Sequence, residues 1–446
     1  MKKKSRFGFF GLLSIKPAQL MALSFLGAIG IGTMLLCLPQ ATATGEPLSV
    51  IDALFTATSA TCVTGLIVRD TGSYFSLFGQ LVILGLIQIG GLGIMTFSVT
   101  LGLALRRGMG KRHQFVMRDI LDYDSASGIA ELVKFILKMT IFFEVLGGAL
   151  LFFNWSFTTG YNLTTLYQAF FHAISGFCNA GFSLFSNSLQ GFRADLATNV
   201  IMSALIITGG LGFIVISDFY RHRRIKSQTK MVLLVTLILL AAGTLFIYLA
   251  ESNNALAGLP LGEKIMASFF QSVTARTAGF NTIPTANLAR GSLFFIVILM
   301  FIGASSGGTG GGIKTNTFGI IVKAVMSAIR NRPQVEIYKR TVPRAVVRKA
   351  IAILLIGIFI LSGFFISLLF TQDSADFEGL LFEAASAFGT VGLSTGITGT
   401  LNEISKFLII ALMFIGRLGP LTIALALTRR RPEANYEYAE ERIMVG

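Results

Sequence analysis

The sequence predicts an all-α integral membrane fold: eight transmembrane helices, arranged as four repeats of span, pore helix and span around a central pore. Three observations lead there. Of 446 residues, 53% are hydrophobic and 13% charged, against about 25% charged in a soluble domain, so the chain carries more apolar surface than one aqueous core buries. Eight stretches reach the roughly 20 apolar residues that cross a bilayer as helix. Between them lie four short apolar segments, too short to span, each closed by a glycine.

The spans are read at residues 17–38, 79–105, 132–153, 198–220, 231–250, 292–322, 349–370 and 405–427. Their connections alternate in charge. The N-terminus, 106–138, 221–230, 314–349 and 428–446 together hold 30 of the 37 Lys and Arg, whereas the opposite connections hold Arg69, Arg193, Lys264, Arg276, Arg290 and Lys406. By the positive-inside rule both termini are expected on the cytoplasmic side of the cell membrane, and an even number of spans agrees in placing them on one side. Met1 to Lys4 is basic, as in a signal peptide, but the apolar stretch behind it is too long for one and is read as the first span.

The formal charge of +15 therefore reflects topology. It supplies no basic face on a folded domain for nucleic acid. Cys37, Cys62, Cys178, His113, His172 and His222 have neither metal-ligand spacing nor a disulfide framework. An intramembrane protease or acyltransferase needs a nucleophile and base, or a metal pair, within the spans. The isolated His172 supplies neither, so no catalytic residue and no enzyme activity is expected.

The short segments form an internal repeat. Aligned on Gly65, Gly181, Gly279 and Gly392, they carry Phe55, Phe171, Phe269 and Phe382 ten residues earlier, and Gly90, Gly209, Gly303 and Gly416 24 to 28 residues later. The chain divides accordingly into units 1–110, 111–230, 231–345 and 346–431, with a cytoplasmic tail at 432–446. Non-helical backbone at membrane depth is tolerated only where it is buried in protein or lines water, so four such loops are expected to converge on one polar path. A short helix entering from outside directs its partly negative C-terminal end at the bilayer centre, which favours a cation. The loop carbonyls beyond it can replace water around a dehydrated ion.

Charged residues near this path have less specific readings. Asp52 is expected to favour the start of a pore helix, and Glu144 to partner another helix. His172 and Glu383, nine residues before their glycines, are candidate pore-helix anchors. Arg276 is expected to pair with a carboxylate or with carbonyls behind its loop.

The sixth span contains Gly303-Ala-Ser-Ser-Gly-Gly-Thr-Gly-Gly-Gly-Ile-Lys-Thr-Asn-Thr-Phe-Gly319, seven glycines in seventeen residues. Each glycine costs a helix about 0.8–1.0 kcal/mol relative to Ala, so helix is not expected to persist there. A phosphate-binding loop is excluded, because Ile313 separates Gly312 from Lys314 and no strand precedes it. The segment 305–317 is read instead as an intramembrane gate loop, comprising Ser305, Ser306, Gly307, Gly308, Thr309, Gly310, Gly311, Gly312 and Lys314. Arg417, next to Gly416, is expected at the same depth as a positive barrier.

Together the four glycine loops, the broken sixth span and the arginine of the last span make the chain resemble the Trk/Ktr/HKT superfamily of potassium transporters, from Pro17 to Arg431. The absence of two extra leading spans makes it most similar to the membrane subunit of bacterial Ktr potassium uptake systems. The resemblance implies a selectivity filter of carbonyls at Val63, Thr64 and Gly65; Asn179, Ala180 and Gly181; Thr277, Ala278 and Gly279; and Thr390, Val391 and Gly392. Relatives that favour sodium commonly carry Ser at the first of these glycines. Gly65 therefore supports potassium, and a single glycine per loop leaves room for sodium as permeant or activator. The resemblance further implies a membrane homodimer and a cytosolic ring of Rossmann-like subunits that binds adenine nucleotides, with no cofactor on this chain. A sodium-translocating relative or a cation symporter is the alternative within transport.

Overall fold

The computed structural model describes residues 17–93, 129–219, 225–372 and 375–420. The N-terminal basic residues, the connection 106–128, Arg221 to Arg224, the ends of the second and eighth expected spans, His113, His222 and the tail 432–446 lie outside the described residues. The regular secondary structure among the described residues is helical apart from one hairpin of two-residue strands, β1 Glu336–Ile337 and β2 Arg340–Thr341. The all-α expectation holds.

Four short helices stand where the glycine-closed segments were read: α2 Val50–Thr61, α5 Leu163–Phe177, α8 Leu261–Thr274 and α12 Phe377–Gly389. Before them run α1 Pro17–Leu36, α4 Ile129–Thr159, α7 Ser227–Glu251 and α11 Arg344–Thr371. After them come α3 Leu77–Leu92, α6 Leu196–Leu211, α9 Arg290–Phe301 continued by α10 Thr315–Ile329, and α13 Glu403–Leu418. Local chemistry sets several of these starts. Ser49, Ser76, Asn162, Asp195 and Asn402 each accept a hydrogen bond from an N–H in the first turn, satisfying donors that a helix start leaves open.

Among the described residues, three helices are long and apolar enough to cross a membrane: Val133–Thr159, Ser227–Glu251 and Arg344–Thr371. Eight were expected. Glycine also closes helices that follow the short ones outside the sixth span. Gly93 ends α3 at φ 75°, Gly212 ends α6 at φ 91° and Gly419 ends α13 at φ 85°, a region open to glycine and strained for other residues. Hydropathy sees continuous apolar runs at these points, because it does not register φ.

The short helices hold the core. Phe55, Phe171, Phe270 and Phe382 are wholly buried. The sequence alignment had placed Phe269 in this set, yet it is 37% exposed. The reason lies in the turn that follows. Ala278 N–H returns to the Thr274 carbonyl, four residues back, whereas Thr64, Ala180 and Val391 return five residues back to Ser59, Ser175 and Ser386. The third turn is one residue tighter, so its helix is shifted by one position against the glycine.

Candidate functional site

Each short helix ends in a turn of unusual backbone. Gly65, Gly181, Gly279 and Gly392 have φ of 93°, 71°, 79° and 92°, and the residue two places earlier, Val63, Asn179, Thr277 or Thr390, is also left-handed at 56°, 58°, 78° or 50°. A left-handed conformation costs an L-residue roughly 1–2 kcal/mol, and strain of this kind concentrates at functional sites. Here it recurs four times at one offset, three times on a β-branched residue.

The hydrogen bonds explain the shape. The middle residue of each turn donates its N–H back to the helix it leaves, at 2.8 Å for Thr64, Ala180 and Val391 and 3.0 Å for Ala278. Gly65 N–H goes to Ser59 Oγ at 3.1 Å and Gly392 N–H to Ser386 Oγ at 3.0 Å. Ser175 Oγ instead donates to the Phe182 carbonyl at 2.8 Å. These donors are thus satisfied within the helix that each turn leaves.

The four turns meet. A Cβ placed on Gly65 would come within 2.6 Å of the Ala180 carbonyl oxygen, one on Gly181 within 2.9 Å of that of Ala278, and one on Gly279 within 2.5 Å of that of Val391. On Gly392 it would strike the Thr64 carbonyl. Each glycine therefore faces the carbonyl just before the next one, and the fourth returns to the first. The ring closes on backbone, so a side chain at any of the four positions would force neighbouring carbonyls to shift. Rings of carbonyls at the negative ends of helices are suited to hold a dehydrated cation.

A second layer of glycines brings the helices in. Cβ atoms on Gly90, Gly209 and Gly416 would strike the carbonyls of Thr61, Phe177 and Phe388, each four residues before a ring glycine. Gly303, the third of this series, lies instead against Gly311.

Between α9 and α10 the chain leaves helix and runs directly against the turns. Gly311 N–H donates to Thr390 Oγ1 at 3.0 Å, and a Cβ on Gly310 would strike the Thr277 hydroxyl. Asn179 and Thr277 are themselves linked at 3.2 Å. Ser305 N–H and Thr309 N–H donate to the Gly210 and Gly209 carbonyls at 3.0 and 3.1 Å, and Gly308 N–H to Ser305 at 3.1 Å. Gly307, φ 80°, accepts from Phe213 N–H at 3.1 Å, and the Ser306 carbonyl lies beside Gly212. Gly312 turns the chain back at φ 67°, where Gly303 N–H meets the Ile313 carbonyl at 2.9 Å. The segment read as a gate loop is, in this arrangement, well tethered.

Three cations hold it. Arg417 donates to the carbonyls of Thr309 and Gly90. Lys314 Nζ donates to the Gly310 carbonyl at 2.6 Å. Arg276, counted above with the outer connections, is buried and donates to the Gly303 carbonyl at 3.2 Å and Thr315 Oγ1 at 2.8 Å. Of the partners expected for Arg276, the carbonyl is the one found.

The other expected residues fall nearby. His172 sets its ring nitrogens 2.7 Å from the Gln168 carbonyl and 2.9 Å from Ser183 Oγ. Glu383 accepts from the Thr398 hydroxyl, which in turn reaches Ser394 at 3.0 Å. Both tie a short helix to the strand of chain leaving its glycine, as anchors do. Asp52 does more than start α2, because its carboxylate meets Lys406 at 2.7 Å and Arg69 at 3.2 Å. Glu144 faces Gln88 and Cys178. Sequence reasoning missed Ser59, Ser175 and Ser386, all six residues before their glycines; extending the alignment inward would have found them.

Residues 25–438 match the family model for TrkH, described as a cation transport protein. The chain is 40% identical over 435 residues to a Ktr system potassium uptake protein B of Bacillus subtilis (strain 168), covering 96% of this chain and 97% of that protein. It is equally 40% identical over 435 residues to the protein so named from Vibrio alginolyticus, covering 96% and 94%. A potassium/sodium uptake protein NtpJ of Enterococcus hirae is 36% identical over 447 residues, covering 97% and 98%. The structure also matches the crystal structure of the potassium transporter TrkH from Vibrio parahaemolyticus, with TM-score 0.73 over 94% of this chain and 86% of that one. At 19% identity that likeness is one of fold. With its family match running almost end to end and relatives this similar over nearly their whole length, the chain belongs to the TrkH family of cation transport proteins.

Proposed function

We propose that this chain takes up potassium across the cell membrane, with the four-glycine ring as its selectivity filter. The observation that carries the reading is the closure of the ring, in which each glycine faces the carbonyl before the next. Carbonyl coordination replaces the hydration shell of an alkali cation without fixed charge. The names of the Bacillus and Vibrio relatives, potassium uptake proteins, agree with potassium as the ion.

In this reading the chain forms four units, 1–110, 111–230, 231–345 and 346–431, each a span, a pore helix and a span. Both termini are cytoplasmic. The glycine breaks in α3, α6 and α13 account for helices too short to span alone, since the chain crosses the membrane through broken segments packed in protein. The gate is the loop read at 305–317 with Arg417, its Gly310 and Gly311 lying against Thr277 and Thr390 beneath the filter. The chain carries no cofactor of its own, and potassium is its cargo.

Control comes from outside the chain. Between α10 and α11 there is room only for the small hairpin at 336–341, which is no ligand-binding domain. A homodimer in the membrane, met from the cytosol by a ring of Rossmann-like subunits that binds adenine nucleotides, supplies the missing regulation. The Enterococcus relative, named a potassium/sodium uptake protein, favours a part for sodium, as activator or as a second permeant ion; symport with sodium is the rival form.

The test is growth of a strain lacking potassium uptake at low external potassium, with and without sodium. Expression of the chain with its cytosolic partner is expected to restore growth. Failure to do so with the protein in the membrane overturns the proposal. Uptake that stops when the sodium gradient, rather than sodium itself, is removed identifies the symporter.

A further inference from the structure

Ser59 and Ser386 hold the same place in their units, six residues before Gly65 and Gly392, and both are fully buried. Each binds two consecutive amides of the turn that follows it. The Ser59 carbonyl accepts from Thr64 N–H at 2.8 Å, and its hydroxyl oxygen accepts from Gly65 N–H at 3.1 Å. Ser386 repeats this with Val391 N–H at 2.8 Å and Gly392 N–H at 3.0 Å. The other two units differ. The Ser175 hydroxyl, at the same offset from Gly181, donates to the Phe182 carbonyl at 2.8 Å, and at that offset from Gly279 stands Val273, which has no hydroxyl.

A peptide unit is planar and trans, so its N–H and C=O point in opposite directions. Gly65 N–H and the Thr64 carbonyl belong to one unit, as do Gly392 N–H and the Val391 carbonyl. Fixing the amide on a serine of the short helix therefore fixes the carbonyl on the other side. Both carbonyls belong to the ring, since a Cβ on Gly392 would strike that of Thr64 and one on Gly279 would come within 2.5 Å of that of Val391.

Turning either unit over would replace an oxygen by an N–H, whose partial positive charge repels a cation. The glycine that follows each unit has the backbone freedom to allow that turn. The serine bond opposes it, because breaking the bond leaves a buried donor without a partner.

We infer that Ser59 and Ser386 are positioning residues for ion selection, whose hydroxyls lock the Thr64 and Val391 carbonyls into the orientation that the ion meets. The inference rests on the reading of the ring as the selectivity filter. Selection then falls unequally on the four turns, with the first and fourth held by a side chain that the second and third do not use in this way.

The test uses the full chain with its cytosolic partner in liposomes. Ser59→Ala and Ser386→Ala are each expected to lower the potassium-to-sodium flux ratio about fivefold, the equilibrium weight of one neutral hydrogen bond, and the double variant to lower it further. Thr56→Val is the comparison. The Thr56 hydroxyl, buried in the same helix as Ser59, donates to the Asp52 carbonyl at 2.9 Å, so its loss is expected to lower thermal stability and leave the ratio at the parent value. In detergent, stabilisation against heat by an added cation reads its affinity. The serine variants are expected to need about five times more potassium for the same stabilisation, and less than about twice as much sodium.

Gly279→Ser, measured alongside, separates the serine bond from the ring itself. Parent-like ratios in both folded serine variants, with a lowered ratio in Gly279→Ser, overturn the positioning role and leave the ring. Parent-like ratios in all three overturn both. A fall in Thr56→Val as large as that in Ser59→Ala also overturns the positioning role, because loss of helix stability then explains the effect. If Ser59→Ala does not reach the membrane, Ser386→Ala reads the same bond in the fourth unit.

Discussion

Lys406, in the first turn of α13, sets its Nζ 2.7 Å from Asp52 Oδ1 in the first turn of α2, so the last helix described is fastened to the first short helix. The other junctions of the ring have counterparts. Arg193 meets Glu263 of α8 at 3.5 Å, Arg290 meets Glu378 of α12 at 3.3 Å, and the Tyr167 hydroxyl of α5 donates to Gln80 of α3 at 3.1 Å. Each joins the start of a short helix to the following-helix region of the preceding unit. Exposed pairs of this kind contribute little; with side chains 13% and 4% exposed, Lys406 and Asp52 form the buried one.

Asp52→Asn is accordingly expected to destabilise the protein by about 3 kcal/mol, because it leaves a buried ammonium without its counter-charge. Lys406→Met is expected to be costly as well, and the double variant less so than the sum of the two. Thermal unfolding in detergent reads all three. Additive losses would show that the two residues do not act as a pair.

At the ring, Gly279→Ser is expected to lower the potassium-to-sodium flux ratio about tenfold, equivalent to about 1.4 kcal/mol of discrimination. The added side chain has to clear the Val391 carbonyl at a glycine held at φ 79°, and the displaced oxygens no longer match the larger ion. Gly65→Ser, against the Ala180 carbonyl, is expected to act in the same direction. Flux ratios from purified protein in liposomes decide it. Parent-like ratios in both variants remove the ring from the selectivity path.

Arg417→Gln removes two hydrogen bonds to carbonyls, each charge-assisted and worth about 1.5–3 kcal/mol. The loop then loses its hold at Thr309, and on the proposed path a cation would meet no guanidinium below the glycine ring, where charge interactions are weakly screened. Potassium flux is expected to rise about tenfold or more. Unchanged flux from a folded variant assigns Arg417 to packing alone.

Removal of Gly310 to Gly312 takes away the stretch that lies against Thr277 and Thr390. High flux with little response to the cytosolic partner or its nucleotide is expected, since the segment can no longer reach both hydroxyls. Parent-like flux with full nucleotide response would sink the gate reading and leave the ring untouched.

The four turns were legible in the sequence because their cause is local: backbone held at positive φ favours glycine, and Gly65, Gly181, Gly279 and Gly392 mark them whatever surrounds them. The helical class followed equally from apolar run length, and the broken sixth span from the density of glycine between Gly303 and Gly312. Other features depend on groups far apart in the chain. Nothing around Val63 or Thr390 announces a left-handed residue; each is held there by the hydrogen bonds of its turn and the closure of the ring. Phe270 displaced Phe269 from the core because one turn is a residue shorter, a difference that arises from how the amide returns to its helix. Gly93, Gly212 and Gly419 look like small packing residues in a continuous apolar run, and become breaks only through their φ. The partners of Asp52, Glu144, Arg276 and Arg417 come from other segments of the chain. Sequence thus determined where the backbone must bend and which stretches avoid water, both properties of single segments. The tertiary structure decided which carbonyls face one another and which buried charges find partners, because both depend on distances between segments that spacing along the chain does not set.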